Sequence, residues 1–329
     1  MDIYIATINI IICTLLSYFL GPIVKRVGTK FKIIDLPDLR KVHQIPIVRI
    51  GGVSIFLTFI SYFLFTYFFS NFAGNYSFHY EKLFVILSGS LSFFLIGIHD
   101  DIYKSSPILR LFLQFLIAIL VSLKGIGFNS LNFYLPLYGE INFTLPFFLK
   151  HLFNATWIVG LTNSINWLDG IDSLAAGYCS ILSLGLCLLM FFQGNYEGFI
   201  FYSIILGSIM GFLIRNFKPA YYIMGDCGSN FLGFLLSASS IFFINHEAVN
   251  SVNIYYLLII FSLPIFDMLF VIASRFLNNK NIFLPDRSHI HHRLLDLNLD
   301  HKHIIFILYF YSVISISIGI FYLKNFNLN

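Results

Sequence analysis

The sequence predicts an all-α polytopic membrane protein, and three features carry that prediction. Of 329 residues, 58% are hydrophobic and only 11% charged, with a mean hydropathy of +0.82, a balance that a water-exposed domain of this size would not tolerate on its surface. Apolar runs long enough to cross about 30 Å of hydrocarbon recur along the whole chain. Four short polar clusters interrupt them: His99-Asp100-Asp101, the run from Asn163 to Asp172, Gly225-Asp226-Cys227-Gly228-Ser229, and His289-Ile290-His291-His292. Carboxylates beside a bilayer are costly unless they bind a cation or do chemistry, so these clusters point to a metal-dependent membrane enzyme.

About ten transmembrane helices are expected, over residues 3–24, 51–70, 81–98, 108–124, 150–168, 173–192, 198–214, 229–245, 253–275 and 304–323, within one domain covering 1–329. The first is an anchor and not a cleaved signal, because Asp2 replaces a basic start and Lys25 and Arg26 follow the apolar run. Alternating the loops from an outside amino terminus puts sixteen of the twenty Lys and Arg on the cytoplasmic side, as the positive-inside bias requires. Both termini are then extracytoplasmic, and all four polar clusters face the cytoplasm.

Between the fourth and fifth spans, residues 126–149 carry two short runs around Tyr138-Gly139-Glu140, and Pro136 and Pro146 argue against a helix. A short extracytoplasmic hairpin is the reading. The 276–303 loop, with Pro285 and its histidines, is expected to hold a small amphipathic helix covering a site. Cys13, Cys179, Cys187 and Cys227 form no disulfide framework. The net charge of +4 sits mostly on the inner face and suits anionic membrane lipid, with no basic aromatic patch for nucleic acid.

Each cluster has a chemical reading beside a bland one. Asp100 and Asp101 repel each other unless a cation or proton intervenes, which gives one of them a proton-accepting or metal-organising role and Lys104 a phosphate-binding role. Ordinary interfacial charges at a helix end are the alternative. Asn163, Asn166, Asp169 and Asp172 recur every third residue, with Gly170 ending the helix, and supply the oxygen ligands that a hard divalent cation prefers. Glycines around Asp226 allow close backbone approach, and the following helix offers its positive end to phosphate, with Asp226 holding magnesium. Arg287, His289, His291, His292 and Arg293 suit pyrophosphate better than zinc, since arginines repel metal. Asp267, well inside the ninth span, needs a partner and reads as a structural hydrogen-bonder.

Taken together, Asp100-Asp101, NSINWLDGIDSLAAG from Asn163, MGDCGS from Met224, HIHHRLL from His289 and RKVHQIPIVRIGG from Arg40 resemble the polyprenyl-phosphate N-acetylhexosamine-1-phosphate transferase family. The HIHH string is more similar to the undecaprenyl-phosphate GlcNAc-1-phosphate transferase branch than to the phospho-MurNAc-pentapeptide branch, which usually shows three consecutive histidines. Two departures stand out: Ser173 where the family usually has glycine, and His99 where an apolar residue commonly precedes the Asp pair.

The resemblance implies transfer of a sugar 1-phosphate from a UDP-N-acetylhexosamine to undecaprenyl phosphate, with release of UMP, in a bacterial inner membrane. It implies Mg2+, with Mn2+ as an alternative, on Asp226 and Asn166. Asp100 would deprotonate or orient the lipid phosphate, supported by Asp101 and Lys104. Asp169 and Asp172 would contact nucleotide or sugar, the His289 string would clasp pyrophosphate, and Lys41 and His43 would extend the pocket. A homodimer is left open. A secondary transporter is the rival from another class, but such sites usually lie near the midplane at broken helices, often within inverted repeats, and no repeat is evident here.

Overall fold

Apolar segments in hydrocarbon must satisfy every backbone N–H and C=O internally, which leaves helices as the spanning elements of a chain patterned like this one. The computed structural model describes residues 2–37, 45–73, 79–135, 139–217, 219–245, 254–280 and 287–326, and about 80% of the described residues are helical. The helices are α1 (Asp2–Lys30), α2 (Gly52–Ala73), α3 (Tyr80–Tyr103), α4 (Pro107–Leu123), α5 (Phe147–Leu168), α6 (Leu174–Gln193), α7 (Tyr196–Asn216), α8 (Gly225–Asn245), α9 (Ile254–Ile260), α10 (Ser262–Leu277), α11 (Ile290–Asp296) and α12 (His301–Phe326).

A helix stands at every expected span, the ninth being broken by 82° between α9 and α10. Among the described residues, six helices are long and apolar enough to cross a membrane, or seven with the bent pair as one span; α2 and α4 contribute shorter apolar stretches. The chain is thus multi-pass.

α8 is buried along its whole apolar length and packs against α2, α3, α5 and α6. Small residues make this possible. A side chain at Gly228 would strike Gly52 of α2, and one at Gly97 of α3 would strike the Asp226 backbone, while one at Gly225 would strike the Arg49 carbonyl, so Gly228 admits α2 and Gly97 admits the first turn of α8. Close approach of this kind is how helices associate where lipid supplies no hydrophobic drive.

Strands β1 (Ile34–Asp35) and β2 (Ile47–Val48) form a short antiparallel ribbon in the first basic loop, which the sequence did not disclose. Strands β3 (Ser130–Leu135) and β4 (Gly139–Thr144) are the expected hairpin. It is anchored from below by Asn154, whose side chain exchanges hydrogen bonds with the Phe128 backbone and donates to Ser122. The four cysteines are free and buried.

Candidate active site

Two helices run further than hydropathy suggested, and this builds the site. α3 continues through Asp100 and Asp101 and stops at Lys104, whose left-handed φ of 53° ends the helix. α8 starts at Gly225, so GDCGS is its first turn. Hydropathy marks where the apolar surface ends, whereas a helix persists as long as its end groups find partners. The partners are carboxylates. Asp101 accepts the Asp226 and Cys227 amides at 3.0 and 2.9 Å, and the Gly225 amide reaches Asp169, so two acidic side chains from other helices cap α8 at its positive end.

Asp226 projects from that capped turn into a cluster of opposite charges. Its Oδ2 lies 2.9 Å from Arg49 and 3.6 Å from Arg110, and its Oδ1 accepts from Asn166 Nδ2 at 2.7 Å. Arg49 also pairs with Asp101 at 2.8 Å and lies 3.8 Å from Asp35, while Arg110 pairs with Asp100 at 2.8 Å. Burial alone would lower the Arg49 pKa, but Asp226, Asp101, Asp35 and Asp100 outweigh it and raise it; the guanidinium is locked in its charged form. Asp169 goes the other way: burial first, then the negative field of Asp226 and Asp101, push its carboxyl well up against the pull of Arg49.

Neither arginine was assigned a role from the sequence, where Arg110 entered only as inner-face charge and Arg49 as that and as one letter of the RKVHQIPIVRIGG string. Arg110 did leave a trace: it and Gln114 stand one turn apart in an otherwise apolar helix, and a cation there requires a carboxylate. Gln114 accepts from Asn163 at 2.7 Å, so Asn163 is buried behind the site and supports it without facing it.

The other expected residues separate. Asn166 bridges Asp226 and Ser229. Asp101 is spent on α8 and Arg49, with its side chain fully buried. Asp172 is half-buried and Lys104 exposed. His289 and His291 come to the α5 end, His289 against Trp167 at 5.1 Å and His291 against Gly170. His292 packs beside His291 at 4.3 Å. Arg287 and Arg293 do not join a five-residue clasp: Arg287 pairs with Asp296 at an exposed position, and Arg293 lies over Phe270 at 3.7 Å. A seven-residue helix turns its side chains to different faces, which the linear string conceals. Lys41 and His43 lie outside the described residues.

As a metal site, the donor set is partial. No group of three His, Cys, Asp or Glu among the described residues forms a cage. However, Asp100 Oδ1 is buried with no hydrogen-bond partner, although Asp100 and Asp226 interact directly. One acidic oxygen left without a donor beside a second carboxylate suits a hard cation, and magnesium commonly takes only one or two carboxylates plus substrate phosphates. The residues fit such an ion.

A profile described as "Glycosyl transferase family 4" matches residues 83–244. The chain is 34% identical over 300 residues to the probable undecaprenyl-phosphate N-acetylglucosaminyl 1-phosphate transferase of Bacillus subtilis, covering 91% of this chain and 80% of that protein. It is 27% identical to the undecaprenyl-phosphate alpha-N-acetylglucosaminyl 1-phosphate transferase of Thermotoga maritima, covering 84% and 78%. A phospho-N-acetylmuramoyl-pentapeptide-transferase of Lactiplantibacillus plantarum is 37% identical over 140 residues, covering 43% and 42%.

Proposed function

Because the chain belongs to the polyprenyl-phosphate N-acetylhexosamine-1-phosphate transferases of glycosyl transferase family 4, we propose that it transfers GlcNAc 1-phosphate from UDP-GlcNAc to undecaprenyl phosphate and so initiates a lipid-linked envelope glycan. The observation that carries this reading is the meeting of Asp100, Asp101 and Asp226 with Arg49 and Arg110 at one capped helix end. Likeness over nearly the whole chain to GlcNAc-phosphate transferases, against under half for the muramoyl-pentapeptide enzyme, supports GlcNAc as the sugar.

In the reaction, an oxygen of the lipid phosphate forms a bond to the β-phosphorus of the UDP-sugar. The bond from that phosphorus to the bridging oxygen breaks, and UMP leaves with the electron pair. Asp100, near the end of α3 and paired with Arg110, orients or deprotonates the attacking phosphate. Arg110, paired with it, keeps that phosphate within reach, and Arg49 meets charge growing on the departing UMP. Asp226, with Asn166 beside it, would hold Mg2+, which when bound neutralises phosphate charge. Lys104, Asp172, His289 and His292 line the approach for nucleotide and sugar, with His291 buried behind them against Gly170, and Asp169 and Asp101 fix the turn on which Asp226 rides.

The same proposal sets ten crossings with both termini extracytoplasmic and the site on the cytoplasmic face of a bacterial inner membrane. Sixteen inner-face cations among twenty support it, and the acceptor can then keep its tail in hydrocarbon while its phosphate reaches the surface. UMP release by the purified protein with UDP-GlcNAc and undecaprenyl phosphate tests the reading. Release that needs the lipid and Mg2+ and is lost in Asp226→Asn is expected. No release with any UDP-N-acetylhexosamine, from folded protein, would overturn it.

A further inference from the structure

Asp267 is buried in α10 and remote in sequence from every cluster above, yet both of its oxygens are directed at the histidine string. Oδ2 lies 2.9 Å from His289 Nδ1, and Oδ1 accepts the Ile290 amide at 2.7 Å. The second bond satisfies an open amide at the start of α11, while the first fixes the ring about its long axis. With Nδ1 committed, Nε2 is left at the opposite edge, where it makes no hydrogen bond with a described residue. That edge belongs to a ring packed on Trp167, the residue after Asn166, which itself holds Asp226.

We propose that Asp267 is a positioning residue of the transfer reaction: it holds His289 with its proton on Nδ1 and its Nε2 presented to a phosphate or sugar oxygen of the bound UDP-sugar. The inference rests on the function proposed above and adds to it the residue that sets the state of the histidine. An acidic oxygen accepts and never donates when ionised, so Nδ1 must carry a proton, whether the ring is neutral or an imidazolium. His291, lying parallel to His289 at 5.9 Å, and His292 approach from α11, and Arg275 of α10 stacks on Trp167 at 5.7 Å; with Asp267 these are the titratable and charged groups found around the ring among the described residues.

Asp267→Asn separates positioning from packing. The amide keeps the volume and still accepts from Ile290, but its NH2 now faces Nδ1 and drives the proton to Nε2, the wrong tautomer for the role. The wild type is assayed first, since its failure to release UMP would sink the function itself and not this inference. Given an active wild type, Asp267→Asn is expected to lower kcat roughly ten- to a hundredfold, by analogy with the loss on removing the carboxylate partner of a metal-bound histidine, with Asp267→Glu partly rescuing it. Adding Asp267→Asn to His289→Gln should cost little more than His289→Gln alone, because both changes remove one function.

Nitrogen NMR of histidine-labelled protein in detergent, with His289 assigned by the signal lost in His289→Gln, reads the proton directly and needs no variant of Asp267. A protonated Nδ1 in the wild type is expected. An unprotonated Nδ1, or an Asp267→Asn enzyme that loses thermal stability but keeps its kcat, or full additivity in the double variant, would each overturn the proposal.

Discussion

Arg49 is the residue on which the site's charge balance turns. Its guanidinium spans Asp101 and Asp226, two acids from different helices, and is itself one-quarter exposed while the Asp101 side chain is fully buried. Removing one member of such a pair leaves the other uncompensated, at a cost on the order of 3 kcal/mol. Arg49→Gln is therefore expected to lower the thermal midpoint in detergent and to abolish UMP release. Arg49→Lys keeps a charge but cannot fork between two carboxylates, and should fall between; equal stability of all three forms would remove Arg49 from this role. The acids were legible in the sequence because a carboxylate at a bilayer demands an explanation. The arginines were not, because a basic inner loop explains itself, and only folding shows which of seven cations before α2 turns back onto the acids. Ser173, read as a departure from the family's glycine, acquires a physical meaning from its φ of 65°, a conformation that glycine adopts without strain.

At the scale of elements, α11 matters most, because it is too short to be stable alone and is held by Asp267 at its start and by His291 against Gly170. Burial first, then the neighbouring His292 and His289, hold the His291 pKa down at about 3, and neither ring nitrogen has a hydrogen-bond partner among the described residues. Unfolded, the same ring titrates near 6.5, so below that pH the unfolded chain takes up a proton that the folded one refuses. The stability is complete above about pH 6.5 and falls by roughly 1.4 kcal/mol per unit as the pH drops toward the folded value. The loss of thermal midpoint between pH 7 and pH 5 should accordingly be smaller in His291→Gln than in the wild type; identical losses would show that His291 is not the group responsible. The sequence showed a helix in this loop and a histidine string on it, but not which histidine faces inward. That depends on Gly170, over a hundred residues away, which leaves room for the ring.

For the whole molecule, periodicity was less useful than apolar length, since helices surrounded by lipid or by other helices carry no single apolar face. Apolar length found each helix, but not where polar residues extended it, as at α3 and α8, nor the 82° break between α9 and α10, because a bend within an apolar run leaves hydropathy unchanged. Orientation is a separate inference from charge, and the protein offers a clean way to test it. All four native cysteines are buried, so a new surface cysteine reports against a quiet background. Lys124 and Lys302 are both exposed and fall on opposite sides in the proposed topology. In intact cells, Lys124→Cys should react with a membrane-impermeant maleimide and Lys302→Cys should not, the two becoming equally reactive once the membrane is opened. The reverse pattern would put the carboxylate cluster outside the cell, away from any cytoplasmic supply of UDP-sugar, and the proposed reaction would lose its donor. Reaction at both sites in intact cells would instead break the alternation between α4 and α12, and with it the count of ten crossings, while leaving the geometry around Asp226 intact.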